Sequence, residues 1–481
     1  MNLRAQAMAG VRWTTLSSIG RAILQFLQII VLSRFLTPAE FGLIALVTST
    51  VAVIQIFADA GVSNAIIHQQ EISADQNSSL YWFNVICSAL LALLLGLCSP
   101  YMAAWYEQPA LVSLVLMAAA TLLINSLAQQ LKLQAQKRLD FHKLAKVELF
   151  AAGFGFVAAT MLAWHGAGAS AMMAGTLATA FFSTLLSWLT LANGWRPQIR
   201  LNFEEIREFI HFGLYMIGNN LANALNSQID IFLGSKLLGT SSVGLYSLPR
   251  EINLRVAGLI NPIITQVAFP IMAKAQEDED LLRRIYLQIM RMTASINFPI
   301  YVFLGLFAPD IIGALFGPKW HDSVPLVQIL SIWALIRSTV NPVGSLLMAR
   351  GRADISFKWN MMMLGLMPIA VWAGSHYGIS GIATAMTGTM VLTYWPNWRF
   401  QVYPLCKVTL SEYTYQIIVP LVLSLLAAMV CFYIVQTIGL DISRIFISIV
   451  MYFSIYLLLS KKFNNEFFSN AATIFRFKKT Q

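Results

Sequence analysis

Seven charged side chains single themselves out inside long apolar runs: Arg21, Asp59, Asp230, Arg250, Glu251, Arg255 and Arg337. A bilayer's hydrocarbon core of about 30 Å takes about 20 residues of helix, and these runs are long enough. A charge at its centre costs roughly 2.5–3.5 kcal/mol even on a lenient insertion scale, so such a set must face partners or a water-filled cavity. Uncharged polar residues accompany the charges at helical spacing. Asn219, Asn223, Asn226 and Asp230 recur at intervals of 4, 3 and 4 and share one helical face. Thr48, Gln55 and Asp59 share a second face, and Arg337, Asn341 and Ser345 a third. Guanidinium groups donate paired hydrogen bonds to phosphate, and Asn, Gln and Ser groups can bond sugar hydroxyls. The chemistry indicated is binding of an anionic, hydroxyl-rich headgroup. Its candidate ligands are Arg21, Arg250 and Arg337, with Asn219, Asn223, Asn226, Gln28 and Gln55.

The remaining charges admit plainer roles. Glu251 and Arg255 stand four apart with Glu first, the favourable order for a self-neutralising pair. Asp59 and Asp230 are either counter-ions for Arg21 and Arg250 or sites for a coupling H+ or Na+. No glycine is followed by lysine, which excludes the usual phosphate-cradling loop of ATPases. There is no His-x-x-x-His or Cys-x-x-Cys spacing, and the four cysteines are scattered, so neither a metal nor another cofactor is expected.

The elements that must hold these residues are membrane helices. Of 481 residues, 57% are hydrophobic and 11% charged, where a soluble domain carries about 25% charged. The fold expected is an all-α polytopic membrane protein of about 14 spans. Six lie near 13–36, 41–62, 79–99, 110–131, 146–165 and 169–193, and six more near 211–238, 243–272, 288–308, 323–349, 356–376 and 379–400. Two follow near 413–437 and 441–460. With the N-terminus inside, 24 of the 32 Lys and Arg fall in cytoplasmic segments and four outside. That asymmetry fixes both termini in the cytoplasm and accounts for the +10 net charge without nucleic acid.

The halves repeat. At an offset of 202, Arg34-Phe-Leu-Thr-Pro-Ala-Glu-Phe-Gly-Leu lies over Lys236-Leu-Leu-Gly-Thr-Ser-Ser-Val-Gly-Leu, pairing Gly42 with Gly244. Ser17, Arg21 and Gln28 then lie over Asn219, Asn223 and Asp230. At an offset of 214, Gln136-Lys-Arg-Leu-Asp140 lies over Arg350-Gly-Arg-Ala-Asp354, read as clasps between helix ends. The expected layout is a six-helix bundle over 1–193, a linker over 194–210 and a second bundle over 211–405. In the linker, Phe203, Ile206, Phe209 and Ile210 form the apolar face of an interfacial helix. Two further helices and a basic tail occupy 406–481. Six spans per half relate the bundles by an axis along the membrane normal, with a polar cavity between them.

Three stretches carry a family resemblance: Asn261-Pro-Ile-Ile-Thr-Gln-Val-Ala-Phe-Pro-Ile-Met-Ala-Lys274, Phe316-Gly-Pro-Lys-Trp320, and Asn341-Pro-Val-Gly-Ser-Leu-Leu-Met-Ala-Arg350 followed by Asp354-Ile-Ser-Phe-Lys358. They resemble the polysaccharide transporter family, the Wzx-type branch of the multidrug/oligosaccharidyl-lipid/polysaccharide (MOP) exporter superfamily. The similarity is nearest to colanic-acid and teichuronic-acid type exporters, over residues 1 to about 405. The resemblance implies alternating access and flipping of undecaprenyl-pyrophosphate-linked oligosaccharide units across the bacterial inner membrane, with coupling to an ion gradient. It also implies that Arg21 and Arg250 hold the pyrophosphate while the Asn stripe meets the glycan. Polymerase and chain-length regulator are candidate partners, and a functional monomer is expected. Two rivals stand beside it. A polymerase or ligase of the same pathway would need a large outer loop with catalytic residues, and a drug or cation antiporter of a sister branch would favour acidic excess in the cavity.

Overall fold

A computed structural model describes residues 3–59, 73–435 and 442–468. Among them there is no strand, and the chain is an all-α polytopic membrane protein. Its long helices are α1 (Leu3–Phe35), α2 (Pro38–Asp59), α3 (Ala74–Trp105), α4 (Leu111–Lys137), α5 (Phe141–Trp164) and α6 (Ala169–Thr190). Then comes one helical stretch, Phe203–Lys274, whose helical geometry breaks at Gly239, so we treat it as α7 (203–238) and α8 (240–274). Next are α9 (Glu279–Leu306), α10 (Val324–Ala349), α11 (Ala353–Ser375), α12 (Gly378–Asn397), α13 (Leu410–Val435) and α14 (Ile442–Phe463). Among the described residues ten helices are long and apolar enough to cross a membrane: α1–α6, α9, α10, α13 and α14. The polar stripe lowers the hydropathy of α7 and α8. The 23-residue α11 and 20-residue α12 carry Lys358 and Asn360, and a run of threonines, respectively.

Local chemistry sets several helix starts. In α2 the Thr37 N–H donates to Glu40 Oε2 (2.7 Å) while the Glu40 N–H donates to the Thr37 hydroxyl (3.4 Å), a reciprocal cap. Ser73 with Gln76 opens α3 in the same way, and Thr409 with Glu412 opens α13. Gly239 has φ 80° and ψ 163°, backbone that essentially only glycine adopts, so the chain is broken there by residue choice. The linker helix begins at Phe203 as the sequence indicates, but it runs straight into α7 instead of ending before it. The side chains of residues 205–217, and so most of its expected apolar face, lie outside the described residues.

The chain divides into two compact units, one ending at Gly244 and one starting at Leu245. In the first, α5 and α6 approach closely through small residues: a Cβ on Gly155 would meet the Gly175 carbonyl at 2.7 Å. The turn before α6 has positive φ at Gly166 and Gly168, as expected of a tight turn. The tightest contact lies between α2 and the start of α8. A Cβ on Gly42 would overlap the Thr240 carbonyl oxygen, and one on Gly244 would overlap that of Pro38. These contacts are mates under the 202-residue repeat, which pairs Gly42 with Gly244 and Pro38 with Thr240.

The 214-residue repeat is also matched in space. Arg138 donates to the Leu191 carbonyl (2.8 Å), tying the α4–α5 turn to the end of α6. Arg350 donates to the Leu405 carbonyl (3.1 and 2.8 Å) and to that of Gln276 (2.7 Å) in the second unit. Leu405 stands 214 positions after Leu191, so the same carbonyl is capped in each half, by arginines that are not at equivalent positions. Arg352 instead stays local, bound to Asp354 at 2.8 and 2.9 Å. That pairing holds the exposed Asp354 carboxyl down at about 2, so the pair remains charged across the physiological range.

The second unit's core joins Ile264, Ala268 and Met272 of α8 to Tyr286, Met290 and Phe298 of α9, with Leu346 of α10 and Tyr413 of α13. The last helix is fastened at both ends. Arg444 meets Asp310 at 3.5 Å. At the other end Arg291, 3% exposed, donates to Asn464 (2.8 Å) and Gln416 (3.1 Å). Asn464 in turn donates to Ser295 (2.9 Å), whose carbonyl accepts from Tyr456 (2.8 Å).

Two predictions follow from this packing. Gly42→Ala and Gly244→Ala each force backbone apart and should cost ~1–3 kcal/mol in thermal unfolding of the purified protein; Gly258→Ala, with open space around it, should change nothing. Arg291→Met strands the side-chain carbonyls of Asn464 and Gln416 and should cost ~1–3 kcal/mol by the same assay.

Candidate functional site

Each unit carries its own polar constellation. In the first, α1 and α5 lie side by side because α1 offers glycines where α5 offers bulk. The Phe141 ring sits against Gly10 and Leu149 against Gly20, where a Cβ would lie 2.6 Å from the Leu149 Cδ2. Trp13 meets His142 edge to face, ring centroids 4.4 Å apart. The next residue along each helix is charged: Arg21 after Gly20, and Glu148 before Leu149. They form an ion pair at 3.3 Å. Lys132 of α4 lies within electrostatic reach of both. Their neighbours Leu131 and Val147 are buried in a small core with Ala135, Leu144 and Leu191. One residue is about 100° around a helix, so burying Leu131 and Val147 turns Lys132 and Glu148 aside, toward α1.

Further along α1, Gln28 is half-buried. On α2, Gln55 and Thr48 are exposed, the Thr48 hydroxyl donating to the Ile44 carbonyl (2.9 Å). Between them Ser49 donates to Gln228 of α7 (2.9 Å). On α7, Asn223 is exposed and Asn226 half-buried, whereas Asp230 is 2% exposed and accepts from the Ile231 N–H (3.0 Å). The side chains of Asp59 and Asn219 lie outside the described residues.

In the second unit Arg250 is buried on α8, 8% exposed. Glu251 and Arg255 form an ion pair at 2.9 Å, the self-neutralising arrangement their spacing allows. Between them Asn253 is fully buried and donates to the Pro249 carbonyl (2.9 Å). Tyr301 of α9 and Ser331 of α10 reach the Asn253 carbonyl and amide oxygens, both at 3.5 Å. Arg337 is exposed, its guanidinium 4.9 Å from the Trp333 ring centroid one turn earlier, a cation–π contact that helps to hold the side chain.

Reasoning from the sequence passed over Glu148, Lys132 and Asn253. Glu148 is an acid inside an apolar run and was open to notice. Lys132 falls one residue past the expected end of a span, but α4 continues to Lys137 and carries it inward. With both added, the set holds five cations (Arg21, Lys132, Arg250, Arg255, Arg337) against four acids (Asp59, Asp230, Glu148, Glu251). The balance stays positive. Among the described residues no group of His, Cys, Asp and Glu is placed to hold a metal.

A family described as polysaccharide biosynthesis protein matches residues 31–325. The chain is 31% identical to the teichuronic acid biosynthesis protein TuaB of Bacillus subtilis, over 82% of this chain and 80% of that protein. It is 28% identical to the lipopolysaccharide biosynthesis protein WzxC of Escherichia coli, over 88% and 87%. Among solved structures it resembles the lipid II flippase MurJ in an inward closed conformation, with a TM-score of 0.73 and 12% identity over 95% of this chain and 99% of that one. An inward-facing multidrug resistance MATE family transporter of the MOP superfamily gives a TM-score of 0.61 at 16% identity, over 82% and 99%. At these identities the structural likeness is one of fold.

The tight pairing of Glu251 with Arg255 predicts that exchanging them (Glu251→Arg with Arg255→Glu) preserves thermal stability to within ~0.5 kcal/mol. Glu251→Ala alone should lower it by ~1 kcal/mol, because a half-buried arginine loses its partner.

Proposed function

The chain belongs to the polysaccharide biosynthesis protein family as a membrane transporter, and on that premise we propose that it flips undecaprenyl-pyrophosphate-linked oligosaccharide repeat units across the bacterial inner membrane. The observation that carries the reading is the surplus of guanidinium groups on the long helices, Arg21, Arg250 and Arg337, together with the neutral polar stripe in the sequence of α7. A pyrophosphate is a dianion or more at neutral pH, and paired donors of fixed geometry suit it. The amides of Asn219, Asn223, Asn226, Gln28 and Gln55 are the groups for the glycan.

Fourteen spans, arranged as two six-helix bundles and two C-terminal helices, alternate access to this cavity in the proposed mechanism. The excess of Lys and Arg in the expected cytoplasmic segments, 22 to 4 once Lys132 and Arg291 are placed within α4 and α9, supports cytoplasmic termini. Transport draws on an ion gradient, with Asp59 and Asp230 as the places for H+ or Na+. The protein acts as a monomer and hands its product to a polymerase with its chain-length regulator. The names of the relatives, which refer to teichuronic acid and lipopolysaccharide biosynthesis, support a surface polysaccharide as the destination. A polymerase or ligase is disfavoured by short outer loops without acid–base clusters, and a cation antiporter by the positive balance.

Cells lacking this protein but retaining their glycosyltransferases should accumulate complete lipid-linked units on the inner membrane's cytoplasmic face and lose surface polymer. Arg21→Ala and Arg250→Ala, expressed at wild-type levels, should each restore less than about a tenth of that polymer. Complete but unpolymerised units on the outer face would instead indicate a polymerase or ligase.

A further inference from the structure

The ion pair at Arg21 is looser than three close arginine pairs of this protein, and like the looser pairs Arg138–Asp140 and Arg444–Asp310 (both 3.5 Å) it leaves room for another ligand. Arg283 grips Glu412 at 2.6 and 2.7 Å, Arg352 grips Asp354 at 2.8 and 2.9 Å, and Arg255 meets Glu251 at 2.9 Å. Arg21 meets Glu148 at 3.3 Å. Its Nε, like that of Arg444, is buried with no hydrogen-bond partner among the described residues. The pair is also open, with side-chain exposures of 38% for Arg21 and 23% for Glu148. Two cations, Arg21 and Lys132, share this single carboxylate. Among the described residues, α6 has no ionisable residue and His142 of α5 is engaged with Trp13, while Lys143 and Lys146 of α5 are exposed.

A net positive, loosely closed cluster with a spare buried donor is an anion site holding a weak internal occupant. We propose that Glu148 is that occupant, a carboxylate that stands in for the substrate's phosphate on Arg21 and is displaced when a phosphate arrives. The proposal rests on the flippase reading and deepens it by naming the regulation of the same site. Lys132 becomes the second cation for the phosphate. The cluster lies five residues before the end of α4 and seven after the start of α5, about 10 Å into the helices from their shared turn at 1.5 Å per residue. A headgroup entering from that turn therefore meets it early.

The device addresses release. Two unpaired cations in a low-dielectric site would hold a pyrophosphate too tightly to let it go, and the empty site would be costly. Glu148 lowers both penalties by returning to Arg21 as the anion leaves. A ligand that replaces an internal partner binds more weakly by the free energy of the contact it breaks. Removing the carboxylate should thus strengthen binding and slow turnover, whereas loss of a merely structural counter-ion would do neither.

The test uses the full-length protein in lipid nanodiscs, with inorganic pyrophosphate as probe and calorimetry as readout, beside polymer export in cells. Glu148→Gln should bind pyrophosphate roughly tenfold more tightly than wild type, while export falls despite normal expression. Lys132→Gln should weaken binding. Should Glu148→Gln fold poorly, Glu148→Asp serves in its place: its shorter side chain reaches Arg21 less well, so binding should again tighten. Unchanged or weaker binding in both variants, with Arg21→Gln abolishing it, would overturn the role of Glu148 and leave the flippase reading intact. If Arg21→Gln binds pyrophosphate as wild type does, the anion site itself is misplaced and the reading beneath the proposal fails with it.

Discussion

An ionised arginine within a membrane-spanning helix has to be answered, because neither lipid nor the helix backbone can solvate it. Much of this protein's side-chain organisation follows from the ways in which it answers. Arg291 is answered completely, by two amide oxygens and the more distant Glu466 carboxylate at 3.9 Å. The result is a fixed joint between α9 and the last helix. Arg255 is answered by its own helix, four residues back. Arg337 leans on an indole. Arg21 is answered only in part, by a carboxylate it shares with Lys132. On the proposed function, Arg291 and Arg255 build the protein, whereas Arg21, with its shared carboxylate, is among the arginines placed to receive a ligand.

The duplication shows which features each half requires. Under the 202-residue offset the glycines themselves are retained, because at Gly42 and Gly244 the opposing backbone leaves no room for a Cβ. Under the 214-residue offset the requirement is a donor for one helix-end carbonyl, at Leu191 and again at Leu405. A long arginine side chain can meet it from more than one position, and the two halves use Arg138 and Arg350, which the repeat does not align. Steric exclusion conserves a residue, whereas hydrogen-bond demand conserves only a reach.

That distinction also explains what could be read from the sequence. Helix positions, the Gly239 break, the Glu251–Arg255 pair and the paired glycines are local or strictly periodic, and pattern reasoning found them. Arg21 and Arg250 stand out in the sequence because a charge in an apolar run is conspicuous. The partner of Arg21 was missed: Glu148 lies 127 positions away, and only the packing of Leu149 on Gly20 brings the two together. Lys132 was counted as cytoplasmic because the hydropathy run ends at the first cluster of charges, and Arg291, three residues into the expected span 288–308, was counted with the cluster before it. The helices α4 and α9 extend past those points, carrying both cations inward. The two final helices look featureless in sequence because their anchors, Arg291 and Asp310, belong to other segments.

The proposed substrate class divides the work between charge and amide. Every undecaprenyl-pyrophosphate-linked unit presents the same pyrophosphate, so affinity gained at Arg21, Lys132 and Arg250 cannot distinguish one glycan from another. It supplies binding common to all of them. Discrimination has to come from neutral groups whose hydrogen bonds depend on where hydroxyls lie, since a buried polar group left unpaired is penalised far more than a matched one is rewarded. On α7 and α2 the groups proposed for this are Asn223, Asn226 and Gln55, which are exposed or half-buried. The cationic cluster can therefore stay fixed while the amide stripe varies between relatives with different glycans. The partial neutralisation of Arg21 fits this division, because a common anchor of moderate strength leaves the weaker amide contacts to decide which glycan is carried.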